Sequence, residues 1–247
     1  MRLTVLGGCG AWPAAGQACS GFLVEHDGFR LLVDCGYAIV PRLLEHMEAH
    51  ELDAVFVSHG HPDHCADLNP LLRARALGDY AAEPLPVYTV PSALDAVLAL
   101  DRPGMLADAY VLNEFAPGSA LHIGPFGGQT QLLPHWLPNA GLRLTADDLV
   151  IAYTGDTGPS PAIAELARDA NLLIADATFV GQVPEDSQGY LSSAHEAARQ
   201  ATAAGARRLL LTHLLPGTDE TAAQTAAAGQ FAGQAAVATP GLVIDLP

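Results

Sequence analysis

The chain has 247 residues, half of them apolar and 15% charged, a length and composition that support a sizeable core and exclude an intrinsically disordered segment. Eleven Lys and Arg stand against 27 Asp and Glu, a formal net charge of −16 with no basic block, so long nucleic acid is disfavoured as a partner and a small anionic substrate met at a local positive centre is expected. Neither an apolar run long enough for a membrane span nor a secretory leader pattern occurs, which places the chain in the cytoplasm, where Cys9, Cys19, Cys35 and Cys65, lacking C-x-x-C spacing, read as free thiols.

The opening LTVLG is a short apolar strand. SGFLVEHDGFRLLVD follows as two strand-like segments around a His26-Asp27-Gly28 turn. From 38 to 52 the apolar positions Ile39, Leu43, Leu44 and Met47 recur at helical spacing, which predicts a helix. DAVFVS then reads as a buried strand running straight into VSHGHPDHC at 57–65. The Pro and Gly clusters at 84–91 and 124–128 read as loops. GLRLTADDLVIAYTGD reads as strand, turn and strand, SPAIAELARDA as a helix, and NLLIADATF as a strand. In SSAHEAARQATAAG, Ser193 followed by Glu196 is a capping box, and Gly205 stands where the helix stops. RRLLLTH is a strand ending on His213, and 221–236 reads as a last helix. Strand and helix alternate within each half after an initial hairpin. The expected fold is therefore α+β, an αββα sandwich of two stacked mixed sheets with helices on the outer faces, in one domain covering 1–247.

The histidine cluster carries the chemistry. In an extended segment residues two apart share a side, so His59 and His61 can present imidazoles to one ion while Asp63 and His64, past Pro62, face a neighbouring point. Such ligand density suits Zn²⁺, with Mn²⁺ or Fe²⁺ also compatible with the ligand types. Further candidates fall at strand ends: His135 after QTQLLP, Asp156 closing IAYTGD, and His213. Cys65 directly follows His64 and is a lesser ligand candidate.

The segments LTVLGGCG, LLVDCG, SHGHPDHC, YTGDTG, DATF and LLLTHLLPG together resemble the metallo-β-lactamase superfamily, in its ribonuclease Z and phosphodiesterase-like branch. The resemblance implies two Zn²⁺ ions, one held by His59, His61 and His135, the other by Asp63, His64 and His213, with Asp156 bridging both. Ions about 3.5–4 Å apart share a water, lower its pKa toward about 7 and supply hydroxide at neutral pH. The implied activity is metal-dependent hydrolysis of a small phosphodiester of the cyclic-nucleotide type, with Asp63 orienting the nucleophile. Carboxylic ester, lactone or thioester hydrolysis, or a non-hydrolytic role with a retained metal centre, are the alternatives. Relatives of this kind are commonly dimers, which makes a homodimer the assembly expected by analogy.

Several positions depart from the family pattern. Ribonuclease Z carries a His and a Glu thought to handle the leaving-group proton; the matching positions here are Tyr190 and Asp176, which remain candidate catalytic residues. A phenol exchanges protons poorly at neutral pH but donates hydrogen bonds well. The transfer-RNA-gripping arm does not fit in the 21 residues from His135 to Asp156. Asn139-Ala140 stands where an aromatic often faces substrate, and Pro159 stands where the lactonase branch places a Tyr. Flavodiiron-type relatives carry Glu where His61 stands, which disfavours redox iron. His195 groups with Arg199 on a helix face expected to be solvated.

Overall fold

Strands buried on both faces read as unbroken apolar runs, because the side chains pointing either way must be apolar. In β2 (Gly21–His26) and β3 (Phe29–Val33), Phe22, Val24, Leu31 and Val33 face one core while Leu23 and Leu32 face another. In the computed structural model, which describes residues 1–80 and 82–247, these strands belong to the first of two seven-stranded sheets. Its other members are β1 (Arg2–Gly7), β4 (Ala54–Val57), β5 (Leu85–Thr89), β6 (Tyr110–Glu114) and β14 (Val243–Asp245), in the order β14-β1-β2-β3-β4-β5-β6. The second sheet runs β13 (Gln234–Val237), β12 (Arg208–Thr212), β11 (Leu172–Asp176), β10 (Leu149–Tyr153), β9 (Asn139–Ala146), β8 (Phe126–Leu133) and β7 (Ala120–Ile123).

In each sheet one end is antiparallel, β14-β1-β2-β3 and β10-β9-β8-β7, and the other is parallel, β3-β4-β5-β6 and β10-β11-β12-β13. Because β9 is antiparallel to both β8 and β10, strands β8, β10, β11 and β12 all end at the same edge. That edge gathers the loops that carry function.

One core lies between the sheets and includes Phe22, Phe56, Phe126, Leu142, Tyr153 and Ile174. Helices α1 (Ile39–Leu43) and α3 (Leu68–Leu77) cover the outer face of the first sheet, where Ile39, Leu43, Leu68, Leu71 and Leu72 are fully buried; α2 (Pro62–Cys65) is a single turn, and Val97 of α4 (Asp95–Leu98) joins the same core. Helices α5 (Pro161–Leu166), α6 (Ala194–Ala204) and α7 (Glu220–Ala228) lie by the second sheet, with Ala194, Ala197, Ala198 and Ala201 of α6 packed in its outer core. These are the two stacked mixed sheets with helices outside that the sequence predicts. No helix among the described residues is long and apolar enough to cross a membrane.

Four local expectations change. The helix expected over 38–52 is only Ile39–Leu43, followed by a 3-10 turn at Ala49–Glu51; Leu44, one of the positions that built the pattern, is 45% exposed, and a capping box between Glu48 and Glu51 starts the new turn. The segment expected as a loop at 84–91 contains β5, with Leu85, Val87 and Thr89 fully buried and Pro86 placed ahead of the residues that pair with β4. In 124–128 only the turn is loop, since Phe126 begins β8. The last helix stops at Ala228, and the chain returns as β13 alongside β12.

The α6 start is as read: Ser193 Oγ accepts from Glu196 N, and Glu196 Oε2 accepts from Ser193 N at 2.9 Å. Gly205, at φ +66°, ends the helix in the left-handed conformation. Replacing Ser193 by Ala should lower unfolding stability by about 1 kcal/mol with an unchanged denaturant slope; urea titration followed by circular dichroism checks both.

Candidate metal centre

Strand β4 delivers Ser58 and His59 at its C-terminal end, and His61 follows on extended backbone. Pro62 then opens α2, its missing N–H costing nothing in a first turn. That turn places Asp63 and His64 in a second group adjoining the first, with the His59 and His64 ring centroids 4.2 Å apart. His135 comes from the end of β8, Asp156 from the loop after β10, and His213 from the end of β12. Two groups result: His59, His61, His135 and Asp156, and Asp63, His64, His213 and again Asp156, the ligand atoms of each lying within 4.8 Å of one another.

The spacing within each group is tight. His61 Nδ1 is 3.1 Å from His59 Nε2 and 3.0 Å from His135 Nε2. Asp156 Oδ2 is 3.8 Å from His59 Nε2 and 3.9 Å from His135 Nε2. In the other group His213 Nε2 lies 3.0 Å from Asp63 Oδ2 and 3.1 Å from Asp156 Oδ2. A zinc ion bound at 2.0–2.1 Å separates tetrahedral ligand atoms by about 3.4 Å. Both sets fall around that value.

The protons of these histidines are assigned by their neighbours. His135 Nδ1 meets the Tyr190 carbonyl at 2.9 Å, which only accepts, so Nδ1 carries the proton. His64 Nδ1 meets Asp34 Oδ2 at 2.6 Å, with the same consequence. Ser58 Oγ gives its proton to Asp34 Oδ2 and therefore accepts from His59 Nδ1 at 3.1 Å. Thr178 Oγ1 gives its proton to Asp176 Oδ1 and accepts from His213 Nδ1 at 2.8 Å. In the neutral imidazoles each Nε2 is then a lone pair aimed at the cluster, next to two carboxylates that also only accept.

Apart from His61, whose Nδ1 faces the Nε2 atoms of His59 and His135, the cluster is built of acceptors, and acceptors buried together call for a positive charge. His64 Nε2 and Asp156 Oδ1, 3.1 Å apart and buried, make no well-aligned hydrogen bond. Without a cation, protons take its place: burial lowers the His213 pKa, but Asp156 and Asp63 outweigh it and raise the group to about 9. Burial pushes His59, whose proton would meet other imidazoles, well below its usual value. Asp156 is held well below the carboxylate range by His213 and His64 against the opposing effect of burial. The residues present thus fit two divalent cations.

Several residues that build this arrangement were not singled out from the sequence. Asp34 accepts from Ser58 N at 2.7 Å, Ser58 Oγ, His64 Nδ1 and, at 2.6 Å, Tyr153 Oη, and is fully buried. It adopts φ +59°, and His213 adopts φ +64°, a left-handed backbone that costs a non-glycine residue about 1–2 kcal/mol. An aspartate closing the apolar run LLVD was the available signal for Asp34; none pointed to Tyr153. Asn139, with Ala140, reads in the sequence only as replacing an aromatic that could face substrate. It is fully buried, and its amide donates to the carbonyls of Thr154 and Asp156, clamping the loop that presents the shared carboxylate.

Asp176 and Tyr190 do not meet. Asp176 is 1% exposed and accepts from Thr157 N, Thr178 N and Thr178 Oγ1; burial pushes its carboxyl up to about 7. Its contact with the cluster runs through Thr178 to His213, an orienting position. Tyr190 contributes its carbonyl to His135, while its ring lies exposed at the rim, stacked on Trp136. Cys65 gives its S–H to the His61 carbonyl at 3.3 Å, and burial raises its thiol to about 12, so it stays outside both groups. His195, half-buried on α6, is also outside them.

Comparison with known proteins agrees with this geometry. Residues 29–214 match the family described as Beta-lactamase superfamily domain. The chain is 34% identical to the probable metallo-hydrolase YhfI of Bacillus subtilis over 87% of each protein. The crystal structure of YhfI superposes with a TM-score of 0.89 over 98% of both chains. Ribonuclease Z of Myxococcus xanthus is 28% identical, covering 100% of this chain and 98% of its own. A diphosphatase of the PhnP family, 18% identical, shares the fold over 100% of this chain and 98% of its own, with a TM-score of 0.78. The chain belongs to the β-lactamase superfamily, among its metallo-hydrolases.

Proposed function

We propose that this protein is a dinuclear metal-dependent hydrolase of small phosphodiesters. The observation that carries the reading is the convergence of five imidazoles and two carboxylates on two adjacent points, four of the imidazoles with their Nε2 lone pairs turned inward. His59, His61 and His135 would hold one cation, Asp63, His64 and His213 the other, with Asp156 shared between them. Zn²⁺ is the expected ion, and Mn²⁺ or Fe²⁺ suits the same donors. When bound, such a pair supplies Lewis acidity and a water acidified toward a pKa of about 7.

The protein's own groups then position the reactants. Asp63 Oδ2 accepts from Ala11 N at 2.8 Å, which fixes the carboxylate. Its side chain is the more open of the two cluster carboxylates, 9% exposed against 4% for Asp156, so it is the one placed to orient an attacking water. Asp34 and Asp176 act at one remove, holding His64 directly and His213 through Thr178. At the rim Tyr190 offers a phenol, a poor proton donor at neutral pH. This favours substrates whose leaving group departs without a proton.

The choice of a small diester follows from charge and shape. At −16 the surface repels long nucleic acid, and 139–153 is a plain β9–β10 hairpin with no arm to grip it. Ribonuclease Z and the diphosphatase, named for an RNA phosphodiester and a diphosphate, support phosphorus over carbon as the attacked centre. The cytoplasm and a homodimeric state are the location and assembly we propose with it.

Purified protein stripped with chelator and titrated with zinc should take up two equivalents per chain, and His213→Ala one tight equivalent, measured by metal analysis after gel filtration. Asp34→Asn, which weakens the orientation of His64 while leaving the seven side chains in place, should reduce zinc affinity about 10–100-fold in competition with a chromogenic chelator. The zinc-loaded protein should turn over bis(p-nitrophenyl) phosphate and leave lactone and thioester panels untouched. Inactivity on the diester with turnover of a lactone or thioester would replace this reading by the carbonyl one; inactivity on every panel at full zinc loading would indicate a non-hydrolytic role.

A further inference from the structure

We infer that Trp136 and Tyr190 form a stacking shelf beside the metal centre that selects substrates carrying a flat aromatic ring, such as a nucleobase, on the phosphoester. The inference rests on the phosphoester reading and names the substrate class within it.

The two rings stack with centroids 5.2 Å apart and planes 23° from parallel. Large aromatic side chains are usually buried, yet Trp136 is 49% exposed and Tyr190 is 41% exposed. Trp136 also leans on the His135 imidazole at 5.1 Å and 60°. His135 Nε2 reaches into the candidate metal group, so the shelf begins one ring away from the site of reaction.

The stack is assembled across 54 residues of sequence by a specific backbone approach. Gly158 N donates to the Pro134 carbonyl at 3.0 Å, which ties the Asp156 loop to the segment carrying Trp136. A Cβ at Gly158 would lie 2.2 Å from the Gly189 backbone, so only glycine lets the Tyr190 segment come this close. His135 is already held by its bond to the Tyr190 carbonyl, which leaves the exposed ring surface unexplained by the positioning of His135 alone. An aromatic ring stacked on it would cover apolar surface beside a centre that binds phosphate, without adding charge to a protein at −16.

AMP and ribose 5-phosphate carry the same phosphate and differ by the base, so their comparison cancels the repulsion of the acidic surface. By calorimetric titration, the zinc-loaded protein should bind AMP about tenfold more tightly than ribose 5-phosphate, the size expected of one stacked base. Trp136→Ala should reduce that preference below threefold and leave ribose 5-phosphate affinity unchanged; Trp136→Phe should restore most of it. Equal affinity of the two probes for the native protein overturns the shelf, and so does a Trp136→Ala variant that weakens both equally, which would assign the ring to the support of His135. Retained base preference in a protein inactive on bis(p-nitrophenyl) phosphate supports the shelf and removes the diester hydrolysis. Turnover of that diester with no base preference does the reverse.

Discussion

Lone pairs that face one another in a buried space repel unless something positive lies between them, and that constraint organises this molecule. His59, His64, His135 and His213 have their Nδ1 protons committed outward, to a serine, a carboxylate, a carbonyl and a threonine. Their Nε2 atoms are thereby turned inward as acceptors, onto Asp63 and Asp156. Protons on His64 and His213 answer the charge of the carboxylates, which is why burial fails to lower those two pKa values. Divalent cations would answer the same charge, since one such ion accepts several lone pairs at once.

The fold exists around this constraint as a pair of rigid supports. The first sheet supplies Asp34 and the His59–His64 segment, and the second supplies His135, Asp156, Asp176 and His213. The two are locked together directly beneath the site: Tyr153, in the second sheet, packs on Phe22 of the first with ring centroids 5.4 Å apart and donates to Asp34. Core packing and ligand orientation thus share residues. The strained backbones of Asp34 and His213 are tolerated because each is held by several hydrogen bonds from neighbouring segments.

Charge and surface chemistry then narrow what such a site meets. At −16 the surface offers an anion little attraction, so on the proposed reading an anionic substrate would draw its affinity from cations held at the cluster and from uncharged contacts next to it. The Trp136–Tyr190 stack is a contact of that kind. It places recognition by a ring face beside recognition by charge, and the Gly158–Gly189 approach keeps the two in fixed relation.

The metal-site candidates and the sandwich were legible in the sequence because both are written in short-range patterns. The spacing of His59, His61, Asp63 and His64, the strand runs ending on Asp156 and His213, and the Ser193–Glu196 cap all lie within a few residues. The same locality explains the errors: Leu44 matched a helical period but faces solvent, and the prolines around β5 hid a buried strand whose partners lie far along the chain. Only the tertiary structure decided that Asn139 clamps the Asp156 loop, that Asp176 acts through Thr178, and that Tyr190 meets Trp136 instead of Asp176. Those outcomes depend on which groups are desolvated together. Tyr153 and Asp34, 119 residues apart, bond only because two sheets close on one another, and no local pattern encodes that approach.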